Sequence, residues 1–118
     1  MEEINLRNYA HLGDAVWELF IREITVLQTQ NAKELHKITT DKVNAEFQNN
    51  LLIKLQDSLT EDELDLMRRA RNIPVPTSRR SQQSEYRMAT AFEALIGWWY
   101  TNDKVRLKGI FEIINTLL

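Results

Sequence analysis

An all-α fold is what this sequence predicts, and three observations carry the prediction. Only three glycines and two prolines interrupt the 118 residues. Apolar residues recur at three- and four-residue spacing almost throughout, the periodicity of a helix with one buried face. No segment shows the strict alternation of a half-buried strand. A single domain over residues 1–118 is expected, burying roughly two-thirds of the surface its unfolded chain exposes.

The elements follow in chain order. The first helix is expected from Asn8 or Tyr9 to Leu27, with Leu12, Val16, Phe20, Ile24 and Leu27 in one stripe and Asp14 off its centre. A short helix from Ala32 to Lys37 has Asn31 as its cap. Ile38-Thr39-Thr40-Asp41 restarts helix, with Val43, Phe47, Leu51, Leu52 and Leu55 as the buried face. Thr60-Glu61-Asp62-Glu63 is a capping box, in which threonine and glutamate satisfy each other's free amides, and it opens a helix reaching Arg71. Pro74 and Pro76 each disfavour helix at themselves and at the residue before, so 72–81 is the one substantial loop. A long helix beginning between Ser81 and Ser84 carries Met88, Ala91, Phe92, Leu95, Ile96 and Trp99 on one broad face. A final helix, capped by Asn102 or Asp103, presents Val105, Leu107, Ile110, Phe111, Ile114 and Leu117.

The absence of cysteine excludes a disulfide framework and a thiolate metal site. The acidic start lacks the basic and apolar regions of a secretory signal, and no apolar run approaches the roughly 20 residues of a membrane span. A cytoplasmic location with no membrane contact is therefore expected. The formal net charge of -2 opposes a nucleic-acid partner, but the charge is unevenly distributed. Between positions 68 and 87, Arg68, Arg69, Arg71, Arg79, Arg80 and Arg87 face the single acid Glu85. Such a stripe suits either a phosphate-binding edge or a solvated loop.

Two carboxylates carry the chemistry. Asp14 in Leu12-Gly13-Asp14-Ala15-Val16 and Glu93 in Phe92-Glu93-Ala94-Leu95-Ile96-Gly97 lie among apolar residues, where an unpaired charge is costly. Gly13 in mid-helix costs about 1 kcal/mol against alanine and implies a close helix contact. Glu18, one turn after Asp14, has Arg22 at the next turn, so an ordinary ion pair is its expected role. Glu93 lacks a nearby countercharge and is expected to be protonated, solvent-facing or metal-bound. Two hard oxygen donors from separate helices suit Mg²⁺, which accepts one or two carboxylates and keeps several waters.

The frames around Asp14 and Glu93 together resemble the first and last signature stretches of the ribonuclease III catalytic domain, a metal-dependent nuclease of double-stranded RNA. The likeness spans essentially the whole chain and implies that fold as a homodimer. Two family carboxylates are replaced, by Ala10 four residues before Asp14 and by Thr90 three residues before Glu93. The resemblance is to the catalytic domain alone, and a protein without the double-stranded-RNA-binding domain is expected. These departures, with Glu34-Leu35-His36-Lys37, Arg68-Arg69-Ala70-Arg71-Asn72 and Tyr86-Arg87-Met88-Ala89-Thr90, resemble the Mini-ribonuclease III subfamily.

The resemblance implies an endoribonuclease that trims the 23S ribosomal RNA precursor at a base-paired stem, leaving 5′-phosphate and 3′-hydroxyl ends. Asp14 and Glu93 would be both catalytic residues and Mg²⁺ ligands. His11 and Leu12 would lie at the dimer contact, and RNA would meet Arg68, Arg69, Arg71, Arg79, Arg80 and Arg87. A ribosomal protein is a further conceivable partner. The rival reading is a non-catalytic helical dimer that binds structured RNA or a ribosomal protein. The missing acids at Ala10 and Thr90 favour it, and the unpaired Glu93 opposes it.

Overall fold

A computed structural model describes residues 5–74 and 83–118 of the chain. The described residues contain no strand and form α1 (Leu6–Thr25), α2 (Ala32–Val43), α3 (Ala45–Leu55), α4 (Glu61–Arg71), α5 (Gln83–Asn102) and α6 (Lys104–Leu117). A short 3₁₀ turn, Gln56–Ser58, follows α3. Most of the expected loop lies outside the described residues, as do Arg79 and Arg80.

Helix α5 is the hub. It buries Met88, Ala89, Ala91, Phe92, Ala94, Leu95, Ile96, Gly97 and Trp99, which surround most of its circumference. A helix that is apolar on nearly every side belongs inside a domain, and α1, α3, α4 and α6 pack around it. Ala89, Ala91, Ala94 and Gly97 keep α5 thin enough to accept so many neighbours.

Helix α1 is turned by one position from the expected stripe. Its buried residues are Tyr9, Ala10, Gly13, Trp17, Ile21 and Thr25. Leu12, Val16, Phe20 and Ile24 are only half-buried, and Leu27, beyond the helix end, is 86% exposed. The seam is set by residues that a hydrophobicity pattern undervalues. Gly13 admits the α5 backbone, and the fully buried Trp17 indole meets Phe92 edge-on with centroids 4.9 Å apart. The indole N–H of Trp17 donates to the Lys42 carbonyl at 2.9 Å, joining α1 to the end of α2.

Helix α2 runs unbroken through the expected restart. The Thr40 hydroxyl donates to the His36 carbonyl at 2.7 Å, while the hydroxyls of Thr39 and the buried Thr25 lie 2.8 Å apart. These bonds let two β-branched residues remain helical. The break falls at Asn44, whose side chain accepts the Phe47 amide at 2.9 Å and so caps α3.

The capping box at the start of α4 forms as expected, with both reciprocal bonds present. Glu63 does more than cap. Its carboxylate also accepts the Trp99 indole N–H at 2.8 Å, Arg106 Nε at 3.0 Å and Arg106 Nη2 at 2.9 Å. Partial burial pushes this carboxyl up, but bonds from Arg106, the Thr60 amide and Trp99 outweigh it and hold the group below the usual glutamate value. Of the two caps considered for α6, Asp103 fills the role by accepting the Arg106 amide at 3.0 Å. Two residues of the expected α6 face lie outside its core: Val105 is 85% exposed and Leu117 41%.

Candidate active site

The site begins with a crossing of backbones. A Cβ on Gly13 would overlap the Glu93 carbonyl, and a Cβ on Gly97 would overlap the Tyr9 carbonyl. Only paired glycines let α1 and α5 meet this closely. Asp14 follows one glycine, and Glu93 is the residue that the same glycine touches. The crossing thus brings together carboxylates 79 positions apart in the sequence.

They share a cleft of about 520 Å³, to which Ala10, His11, Tyr86, Arg87 and Thr90 also contribute. Asp14 is exposed, whereas Glu93 is half-buried at the packed seam. Burial, then a hydrogen bond with Asp14 and the negative charge of Asp14, push the Glu93 carboxyl up to about 8. The charge of Glu18 adds to the rise, and the amide of Gln48 opposes it by donating to Glu93 Oε2 at 3.5 Å. No cation among the described residues pairs with Glu93. At neutral pH the pair therefore calls for a bound proton or a bound cation. Glu18 pairs with Arg22 at 3.4 Å, as its spacing implies.

The donor set matches an oxygen-preferring divalent ion with a partly aqueous shell. Among the described residues no three His, Cys, Asp or Glu side chains converge as a cage. Ala10 and Thr90 both line the cleft, where the resemblance places the missing acids. Thr90 directs its hydroxyl hydrogen to the Tyr86 carbonyl at 2.9 Å.

The arginines divide. Arg87 lines the cleft and donates to the Arg71 carbonyl at 3.1 Å, which seats the end of α4 beside α5. Arg68 is exposed, while Arg69 pairs with Asp65 at 3.1 Å on the flank of α4. Arg7, absent from the sequence candidates, also lines the cleft and donates to the Pro74 carbonyl at 3.4 Å. Its isolation from the arginine stripe concealed it. His11 is exposed at the cleft edge and Leu12 is half-buried beside it.

Gln48 is the other residue that sequence reasoning missed. The expected α3 face ran through Phe47, but Gln48, Leu51, Leu52 and Leu55 form the buried set, with spacings of three, four and seven. That periodicity was available in the sequence; the polar Gln48-Asn49-Asn50 run disguised it.

The Ribonuclease III domain pattern matches residues 7–104. The chain is 39% identical over 115 residues to the Mini-ribonuclease 3 of Gloeobacter violaceus, covering 98% of this chain and 85% of that protein. It is 34% identical over 121 residues to the Mini-ribonuclease 3 of Clostridium tetani, covering 99% and 80% respectively. A crystal structure of a Fusobacterium nucleatum protein superposes with a TM-score of 0.84 at 34% identity, over 98% of this chain and 94% of that one.

Proposed function

Because the chain belongs to the ribonuclease III domain family, as an endoribonuclease similar to Mini-ribonuclease III, we propose that it cuts base-paired RNA at the Asp14–Glu93 cleft with Mg²⁺. Its proposed substrate is a stem of the 23S ribosomal RNA precursor, its working form a homodimer in the cytoplasm, and its architecture one catalytic domain over residues 1–118. The observation that carries the reading is the pair of acids at the α1–α5 crossing, which no described cation neutralises.

Asp14 and Glu93 would hold the ion. When bound, it would polarise the scissile phosphate and lower the pKa of an attacking water. The remaining work falls to the chain. Asp14 presents an exposed carboxylate to solvent and substrate. Glu93, rooted in α5, fixes the inner side of the site. Arg7 and Arg87 offer cationic walls to the phosphates flanking the cut. An A-form duplex would be read by its phosphates and 2′-hydroxyls across the minor groove. Arg68, Arg69 and Arg71 would extend this contact away from the cleft, and Arg79 and Arg80, outside the described residues, are proposed RNA contacts on the resemblance alone.

Two-fold pairing would supply a second cleft for the second strand. His11 and Leu12 are the proposed contact. The exposed Ala15 and Leu19 continue their side of α1, so the apolar surface extends beyond these two residues.

The test is cleavage of a labelled precursor-derived duplex, alone and with ribosomal protein, by wild type, Asp14→Asn and Glu93→Gln. Both variants are expected to retain duplex binding but to cut at least about 100-fold more slowly, the loss of several kcal/mol of transition-state stabilisation. Binding without cleavage by the wild type under every condition would favour the non-catalytic reading that Ala10 and Thr90 invite.

A further inference from the structure

We propose that Gln48 is a positioning residue for Glu93, bringing a third helix, α3, into the metal site. The inference rests on the assignment of Glu93 as a metal ligand. Gln48 is only 2% exposed and shares its buried face with Leu51, Leu52 and Leu55. A core position of this kind favours leucine or methionine, because a buried amide without partners is costly. Its side-chain partner among the described residues is Glu93, reached across 45 positions of sequence.

The geometry gives the amide a specific task. A carboxylate on a helix can rotate about its terminal bonds, and each rotation redirects its oxygens. Gln48 Nε2 donates to Oε2, so that oxygen is held towards α3, and Oε1 is the oxygen proposed to meet the ion. The bond is long, at 3.5 Å. It has room to shorten when the carboxylate carries full charge, since charge-assisted bonds settle near 2.7–2.9 Å. Partners that orient metal ligands in this way typically change metal affinity or activity by about 10- to 100-fold when removed.

Gln48→Met preserves volume and removes the donor, and Gln48→Leu repeats the test with a different shape. Binding of Mn²⁺ to the full chain is followed by the loss of the free ion's paramagnetic resonance signal, beside wild type and Glu93→Gln. The expected result is at least about 10-fold weaker Mn²⁺ binding in both Gln48 variants, with helical content and duplex affinity in EDTA unchanged. In cleavage assays, excess Mg²⁺ restores kcat while KM for RNA stays at the wild-type value. Unchanged Mn²⁺ binding in the Gln48 variants, with binding lost in Glu93→Gln, overturns the role of Gln48 alone. Unchanged binding in Glu93→Gln overturns the metal-ligand assignment and this proposal with it. Loss of helical content in both Gln48 variants makes the residue a fold determinant and also overturns the proposal.

Discussion

Gly13 acts through the side chain it lacks, because the Glu93 carbonyl occupies the place of a Cβ. Gly13→Ala must therefore separate α1 from α5. A destabilisation of about 1–3 kcal/mol or more is expected, measured by urea unfolding. Cleavage should fall further than the folded fraction does, because the same shift parts Asp14 from Glu93. Gly97→Ala should behave alike, since its Cβ would strike the Tyr9 carbonyl. Glu93 gives the residue scale its pH dependence. Its carboxyl is raised from 4.5 to about 8, so between those values the folded protein holds a proton that the unfolded chain releases. The associated stability is present below about 4.5 and is lost as pH rises through about 8. In metal-free protein, this contribution to Tm should fall across that window and vanish in Glu93→Gln. A slope of equal size in the variant would show that other groups cause it.

At the scale of elements, Glu63 joins α4 to α5 and α6 through one carboxylate. Removing it frees the Thr60 cap, the Trp99 indole and the Arg106 guanidinium together. Glu63→Ala is expected to cost about 2–4 kcal/mol, a lost cap plus charged hydrogen bonds, read as a lower unfolding midpoint. Its lowered pKa acts opposite to that of Glu93, with stability present above the ordinary value of 4.5 and lost as the solution becomes more acidic. The capping box was legible because its chemistry is local, Thr60 and Glu63 bonding to each other within four residues of chain. The same holds for Asn31, whose side chain accepts the Glu34 amide as expected. The α2–α3 boundary was not legible, because β-branched Ile38, Thr39 and Thr40 suggest a break that bonds to His36 and Thr25 remove. The turn of α1 escaped for a related reason. Its seam is a glycine and a tryptophan matched to features of α5, and only the packed partner shows which side of the helix is inward. Asp14 and Glu93 themselves stood out as acids in apolar frames, whereas Arg7 and Gln48 become site residues only when distant segments meet.

At the scale of the molecule, the outward side of α1 decides how copies would associate. Leu19 is 60% exposed, two turns beyond His11, and is not among the residues lining the cleft that Asp14 and Glu93 share. Leu19→Lys should leave the monomer fold intact while weakening the proposed dimer, seen as a shift to monomer in sedimentation velocity. It should also convert paired cuts in a duplex to single-strand nicks. A variant that sediments as wild type does at every concentration would remove Leu19 from the contact. Among the described residues no helix is long and apolar enough to cross a membrane. The crossing of α1 and α5 has a last, mechanical consequence. Backbone already rests on backbone there, with no compressible side chains between the helices. The seam is a hard stop to approach: compression cannot drive the two helices closer at that crossing, while parting them must break the packing of Trp17 on Phe92. The backbones that carry the two acids are therefore already at their closest approach.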